Sequence, residues 1–138
     1  MTIKQQTMKL KIFVLALIFI AGASFTMLTQ KEWPVPDKYN KMPNPLKGDA
    51  ASLATGKELW AKHCQSCHGK SGKGDGSKAA QLKTTPEDLS TAEMQKQTDG
   101  AFFYKTLEGR EDMPSFKKKI PDQDDIWALV NYMRVLKK

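Results

Sequence analysis

Two cysteines and a histidine near the middle of the chain have the types and spacing of a covalent cofactor site. Residues 63–69 read HCQSCHG, and Cys64 and Cys67 are the only cysteines among the 138 residues. Two thiols one helical step apart can each form a thioether to one vinyl group on the edge of a haem. The imidazole of His68, directly after the second thiol, can then bind the iron through Nε2. The pentapeptide CxxCH therefore predicts one covalently attached haem c, with His68 as an axial ligand.

Three other kinds of cysteine site compete with this interpretation. A tetrahedral zinc site needs four converging ligands, and the adjacent pairs His63–Cys64 and Cys67–His68 have no second Cys/His pair elsewhere in the chain. A thioredoxin-like redox pair requires a surrounding βαβ unit, which the sequence does not indicate. A structural disulfide would leave the histidine unexplained. Haem attachment is the interpretation that uses all of these residue types.

The opposite face of the iron requires a second donor, and the methionines supply the candidates. His63 is tethered through Cys64 to the same side of the ring, so it cannot reach the far face. Met113 lies in a loop between two predicted helices and precedes Pro114, which stiffens the backbone that presents it. We predict Met113 as the second axial ligand, with Met94 on a short predicted helix as the alternative. A thioether opposite an imidazole favours ferrous iron and closes the coordination sphere to oxygen and peroxide.

The beginning of the chain predicts an export or anchoring segment within residues 1–30. The only charges ahead of Lys31 are three lysines before residue 12, and residues 12–30 are uncharged. This pattern is typical either of a signal peptide cleaved after the Ala-Gly-Ala at residues 21–23 or of an uncleaved membrane anchor. Both interpretations place the remainder outside the cytoplasm, because the lysines hold the N-terminus inside. We therefore expect a periplasmic protein, soluble after cleavage or anchored to the inner membrane by residues 12–30.

A proline-rich stretch separates this segment from the rest of the chain. Residues 31–51 contain four prolines, and proline at this density blocks both helices and sheet ladders. We predict an extended linker or strap. Its apolar residues either fold back on the domain that follows or belong to a solvated tether.

Residues 52–138 predict one haem domain built from helices. The first helix is expected to begin at Ser52 or Thr55, and the last helix follows the cap Asp122 with apolar residues at a 3.6-residue period. No alternation typical of strands occurs, so we predict an all-α domain of three to five helices wrapped around one haem. The other predicted helices cover residues 86–97 and residues 99–108.

The charge of the chain indicates protein partners and gives no support to nucleic acid binding. The net charge is +7, which suits redox protein partners with an acidic docking face. The lysines are scattered and no recognition module is evident. Lys117, Lys118 and Lys119 follow the predicted ligand loop, where they form either a docking rim or an ordinary solvated run of charge. We expect a monomer or a subunit of a complex.

From residue 56 to residue 136 the chain resembles class I monohaem cytochromes c of the mitochondrial-type fold, especially small bacterial ones. The matching features are the spacing of Gly56 and Trp60, the motif CQSCHG at 64–69, Gly-Asp-Gly at 74–76, MPSF at 113–116 and WALVNYMR at 127–134. The resemblance implies the small cytochrome c fold. It also implies that the first helix crosses the last, with Gly56 and Trp60 meeting Leu129 or Tyr132.

The same resemblance implies a partner for the axial histidine. Many members of the family have proline after Gly-Asp-Gly, and the carbonyl of that proline receives the Nδ1–H of the histidine. Here the position is Ser77. A serine carbonyl accepts a hydrogen bond equally well, but the loop should be less rigid.

Together these features predict an extracytoplasmic one-electron carrier or electron-transfer module rather than an enzyme. A peroxidase or gas-binding haem protein would need an open iron site or a second haem, and the chain has one CxxCH. The other alternative is a haem-bearing structural subunit that anchors a larger respiratory complex. The ambiguous segment 12–30 and the proline-rich stretch keep that alternative open.

Overall fold

The computed structural model describes residues 32–137, together with the isolated positions Ile3 and Gln5. The chain divides into two units, Met1–Trp33 and Pro34–Lys138. The predicted cleavage site and the uncharged segment lie outside the described residues. Among the helices that are described, none is long and apolar enough to cross a membrane.

The second unit is helical, and the all-α prediction is confirmed. Within residues 34–137 three helices have ten residues or more and three are single turns of four residues. Apart from one isolated bridge between Arg110 and Met113, this part of the chain has no β-structure. The helices are α1 (Asp37–Asn40), α2 (Ala50–His63), α3 (Gln65–His68), α4 (Ala92–Gln95), α5 (Asp99–Glu108) and α6 (Gln123–Val135), with a 3₁₀ turn at Ala79–Gln81.

Helix α2 begins before the position that the sequence predicted. The carboxylate of Asp49 accepts a hydrogen bond from the backbone N–H of Ala51 at 2.9 Å, so Asp49 is the N-cap. The predicted start at Ser52 or Thr55 is therefore wrong. The hydroxyl of Ser52 donates to the carbonyl of Asp49 at 2.8 Å and lies inside the first turn of the helix.

The first and last long helices cross in close contact, as the resemblance implies. A Cβ added at Gly56 would lie 2.7 Å from the carbonyl carbon of Ala128 and 3.0 Å from the Cβ of Tyr132. One turn further along, the ring of Trp60 lies 5.9 Å from the ring of Tyr132. Trp60 and Leu129 are both fully buried. The crossing thus fixes the helix that leads directly into the CxxCH motif.

From residue 34 onward the proline-rich stretch folds back on the domain and packs on α5. The prediction that it is extended is wrong for residues 37–40, because α1 lies within it and begins directly after Pro36. Tyr39 stacks on the buried ring of Phe103 with centroids 6.4 Å apart, and it contacts Tyr104 at 4.7 Å. The backbone of this stretch passes close to Gly100 on α5. A Cβ at Gly100 would lie 3.2 Å from the carbonyl oxygen of Met42, so glycine allows the close contact.

A chain of polar side chains joins the same stretch to the last helix. The amide of Asn44 donates to Asn131 at 2.8 Å and to the carboxylate of Asp99 at 3.1 Å. Asn131 in turn donates to the carbonyl of Leu46 and to the hydroxyl of Ser52, both at 2.7 Å. These half-buried amides satisfy one another, so each depends on its neighbours.

Replacing Asn131 with alanine is expected to lower the free energy of unfolding by about 2 kcal/mol, because polar groups in this half-buried network lose their partners. Urea denaturation of the holoprotein followed by circular dichroism measures the change. Asn40→Ala is the control, since the side chain of Asn40 is exposed and its loss should cost about 0.5 kcal/mol or less. Equal losses in the two variants would contradict the network's role.

Candidate functional site

The two cysteines lie at the junction between α2 and α3. The backbone N–H of Cys64 donates to Trp60 at 2.9 Å and completes α2, while the carbonyl of Cys64 accepts from Cys67 at 3.1 Å and from His68 at 2.9 Å. This geometry places the two thiols one helical step apart, as the motif predicts. They form no disulfide; Cys64 is buried and Cys67 is partly exposed.

The environment of Cys64 disfavours a thiolate. Burial, and to a lesser extent the neighbouring Cys67, raises the pKa of the Cys64 thiol to about 12. A thiolate is the form that binds zinc. Within the described part of the chain, no group of three or more His, Cys, Asp or Glu side chains is arranged to hold a metal ion. Burial thus favours the neutral thiol at Cys64, and the described residues do not gather a set of zinc ligands around it.

The glycine-rich loop after the motif folds back on the motif's own backbone. Three carbonyls of the motif accept hydrogen bonds from it: His68 from Gly74 at 2.9 Å, Cys67 from Gly76 at 3.1 Å and Ser66 from Lys78 at 2.8 Å. At Gly76 a Cβ would lie 2.6 Å from the carbonyl oxygen of Cys67, so a larger residue cannot make this approach. The loop thus fixes the backbone that carries both thiols and the imidazole.

His68 is held as a neutral imidazole against the helix crossing. Its ring lies 5.7 Å from the ring of Trp60, and the indole N–H of Trp60 donates to the carbonyl of Gly69 at 3.1 Å. Burial lowers the pKa of His68, which favours the neutral form that binds metals. Its Nδ1 is buried and has no hydrogen-bond partner in the structure. The bond to the Ser77 carbonyl that the resemblance implies is therefore not formed.

Met113 lies in a tight turn that follows α5. Arg110 and Met113 exchange two backbone hydrogen bonds, at 2.8 and 2.9 Å. Gly109 precedes the turn with φ +69°, and a Cβ there would lie 2.5 Å from the carbonyl oxygen of Met113. The side chain of Met113 is half-buried and packs against the core that includes Cys64. The turn thus places the side chain of Met113 against the core cluster that also contains Cys64.

The turn is also fastened on its C-terminal side. The hydroxyl of Ser115 donates to the carbonyl of Leu107 at 2.7 Å, and the backbone N–H of Phe116 donates to the same carbonyl at 3.2 Å. Phe116 is buried. Both bonds fix the segment after Met113 to the last turn of α5.

Met94 and Met42 also pack, partly buried, against the core cluster that Met113 contacts. The sulfur of Met94 accepts a hydrogen bond from the amide of Gln97 at 3.3 Å, so that sulfur already has a partner. Met133 is buried in the core on α6. The hydrogen bond to its sulfur sets Met94 apart, and its full burial sets Met133 apart.

His63, whose position next to Cys64 rules it out as a ligand on the far face of the iron, is half-buried. Its ring meets Phe116 edge-on with centroids 6.0 Å apart. Partial burial, then Lys62 and Lys119, lowers its pKa. His63 thus lies beside two lysines and the ring of Phe116, three residues after Met113.

The donor set as a whole fits a covalently attached haem. Two thiols and an imidazole follow one another on one backbone that the glycine loop fixes, and a thioether comes from a separate turn packed on the same core. Imidazole and thioether are a known axial pair for haem iron. The sequence did not indicate the bonds between the glycine loop and the motif, because they join backbone groups and leave no residue pattern.

The chain matches a family model and is similar to solved structures of other proteins. Residues 51–133 match the family model described as cytochrome c oxidase, cbb3-type, subunit III. No protein with a curated description matches the chain significantly. Among solved structures, the c-type cytochrome KustC0563 is 32% identical, with a TM-score of 0.53 over 60% of this chain and 98% of that chain.

A second solved structure has the same fold within a larger chain. It belongs to the reducing HAO-like protein complex Kustc0457/Kustc0458 of Kuenenia stuttgartiensis and is 24% identical, with a TM-score of 0.60. The match covers 78% of this chain and 53% of that chain. This chain therefore spans about half the length of that relative, and the likeness establishes the fold alone.

Proposed function

We propose that this chain, which belongs to the family described as cytochrome c oxidase, cbb3-type, subunit III, is a monohaem one-electron carrier or electron-transfer module. Family membership makes it a haem-based electron-transfer protein. The finer proposal is carried by one observation: a half-buried thioether from a fastened turn packs on the core that contains Cys64. We further propose that it acts outside the cytoplasm, soluble or anchored by residues 12–30, since the predicted export segment would deliver it there.

In this proposal Cys64 and Cys67 would attach one haem through thioethers, and His68 and Met113 would bind its iron. The bound haem supplies one-electron Fe(III)/Fe(II) chemistry. The residues of the chain hold the two axial donors at fixed backbone positions, through the glycine loop on one side and the turn bonds on the other. The buried aromatic and aliphatic core excludes water. If the two donors stay in place when the iron gains or loses an electron, little structural rearrangement accompanies each electron transfer.

Met113→Ala tests the ligation. We expect the weak red absorption band of a thioether-ligated ferric haem to disappear and the reduction potential to fall by on the order of 100 mV, since a thioether ligand raises it. Absorbance spectroscopy and a redox titration of the holoprotein measure both. Met94→Ala is the matched control and should keep the band. Loss of the band in the Met94 variant alone would assign the ligand to Met94.

We propose that the partners are redox proteins with an acidic docking face. Of the three lysines after the turn, Lys117 is paired with Glu108 at 2.6 Å, and this hydrogen bond raises its pKa. Lys119 lies over the ring of Phe116, 5.6 Å from its centroid. Lys118 is exposed. Lys118 and Lys119 thus present the positive charge that Glu108 does not neutralise.

Changing Lys118 and Lys119 together to glutamate is expected to slow oxidation by ferricyanide several-fold at low ionic strength and to have little effect at high salt, where charges are screened. Stopped-flow absorbance measures the rate. Lys117→Glu should have a smaller effect, and the cationic oxidant hexaamminecobalt(III) should reverse the sign of each change. An unchanged ferricyanide rate at low salt would contradict a lysine docking rim.

A second candidate function is that of a haem-bearing subunit within a larger complex. The family is described as a subunit of an oxidase, and one structural relative belongs to a complex. Native mass spectrometry of the protein purified from both the soluble and the membrane fractions of its own cells would separate a free shuttle from a subunit, because a subunit remains associated with defined partners.

A further inference from the structure

One carboxylate ties the turn of Met113 to a distant loop. A single oxygen of Asp112, Oδ2, accepts two backbone hydrogen bonds, from Lys83 at 2.8 Å and from Thr84 at 3.0 Å. The two segments are separated by more than 25 residues along the chain. The residue that makes this link directly precedes Met113.

Glu111, which precedes Asp112, makes a further bond to the same loop, and that bond supports its own unusual backbone conformation. Glu111 has φ +55°, a left-handed conformation that side chains other than glycine rarely adopt. Its carboxylate accepts a hydrogen bond from the hydroxyl of Thr84 at 2.8 Å. Such a conformation persists where surrounding contacts hold it. Two consecutive carboxylates of the turn are thus held by one dipeptide, Lys83–Thr84.

These bonds complete the fastening of the turn on a third side. Gly109 and Ser115 connect it to the end of α5, and the cross-turn bonds connect Arg110 with Met113. The carboxylates of Glu111 and Asp112 link the tip of the turn to the 83–84 loop. Without these carboxylates, the turn would keep its bonds to the end of α5 but lose its bonds to Lys83 and Thr84.

We propose that Asp112 is a positioning residue that holds the thioether of Met113 in place for its bond to the iron. The inference rests on the proposed function, because it concerns the ligand that the proposed function assigns. A thioether is displaced by external ligands when its loop opens, so the anchor of the loop sets how readily they enter. The hydrogen bonds to Asp112 involve a charged acceptor and are therefore stronger than neutral ones.

The test measures cyanide binding to the ferric holoprotein. Asp112→Ala removes both acceptor bonds and should tighten apparent cyanide binding at least tenfold, because a larger fraction of molecules has an open turn. Asp112→Asn keeps one carbonyl oxygen as an acceptor and should lie between Asp112→Ala and wild type. Glu58→Ala removes the same charge from an exposed position on α2 and should bind cyanide as wild type does.

Two further measurements separate the possible failures. The red thioether band of the wild-type protein, and its loss in Met113→Ala, tests the ligation by itself; if that band is absent from wild type, both the proposed function and this inference fall. If the band is present but Asp112→Ala binds cyanide within twofold of wild type, only the inference falls. Asn131→Ala, which lowers the free energy of unfolding through bonds away from the turn, distinguishes local opening from global loosening. If Asn131→Ala tightens cyanide binding as much as Asp112→Ala does, the positioning role is overturned.

Discussion

Replacing both Cys64 and Cys67 with alanine is expected to give a protein whose haem is extracted completely by acidified organic solvent, while the wild-type chain keeps its pigment. These are the only cysteines of the chain, so no other thiol can form the bond. The structure leaves both thiols free of a disulfide and one helical step apart. Removing one thiol should leave a single thioether, and removing both should leave the haem held by axial bonds alone.

The experiment uses protein from a host that exports and matures such proteins. Mass spectrometry of the wild-type chain should find the mass of the polypeptide plus one haem, which also tests the proposed number of haems. Ser66→Ala is the matched control, since Ser66 lies between the two cysteines and its backbone carbonyl still accepts from Lys78. Pigment that leaves the wild-type protein with the solvent would overturn covalent attachment, and a mass shift of two haems would overturn the monohaem proposal.

The sequence predicted best those features that depend on local chemistry. Helix α5 covers Asp99–Glu108 and ends before Gly109 as predicted, and α6 follows the cap Asp122, whose side chain accepts from Asp124. In both cases the signal is a residue type within one turn of the helix end, so no distant contact is needed. The CxxCH motif is equally local.

The predicted helix over residues 86–97 is wrong for its first half. Only Ala92–Gln95 is helical, and Thr91 is its cap. The carboxylate of Asp88 binds both the backbone N–H and the hydroxyl of Ser90, at 2.9 and 2.5 Å. The N–H of Leu89 meanwhile donates to Gly72 at 2.7 Å. Short polar side chains and a distant carbonyl thus compete with the helix for these backbone groups.

The contacts that hold the candidate site could not be predicted from the sequence, because their partners are far apart along the chain. Asn44 and Asn131 are 87 residues apart, and Asp112 is 29 residues from Lys83. Each pair joins an irregular segment to another part of the fold, where no periodicity marks the partners. The donors of a site can be named from a motif, whereas the loops that hold them are determined by the tertiary fold.

The second large effect is expected at the crossing of α2 and α6. Within a helix, glycine to alanine normally stabilises by about 1 kcal/mol. At Gly56 the added Cβ would lie 2.7 Å from the carbonyl carbon of Ala128, and backbone cannot move aside as a flexible side chain does. Overpacking of this kind costs about 1 to 3 kcal/mol. We therefore expect Gly56→Ala to destabilise the domain, and Gly56→Val to do so by about 4 kcal/mol or more.

This loss should reach the haem site, because the same crossing positions Trp60, whose ring contacts His68 and whose N–H binds Gly69. Urea denaturation gives the stability, and the yield of pigmented protein from an export-competent host gives the effect on the site. Thr55→Ala, at an exposed position one residue before Gly56, should change the free energy of unfolding by about 0.5 kcal/mol or less. A Gly56→Ala protein as stable as wild type would mean that the two helices can separate without loss, and that their close approach does not hold His68 in place.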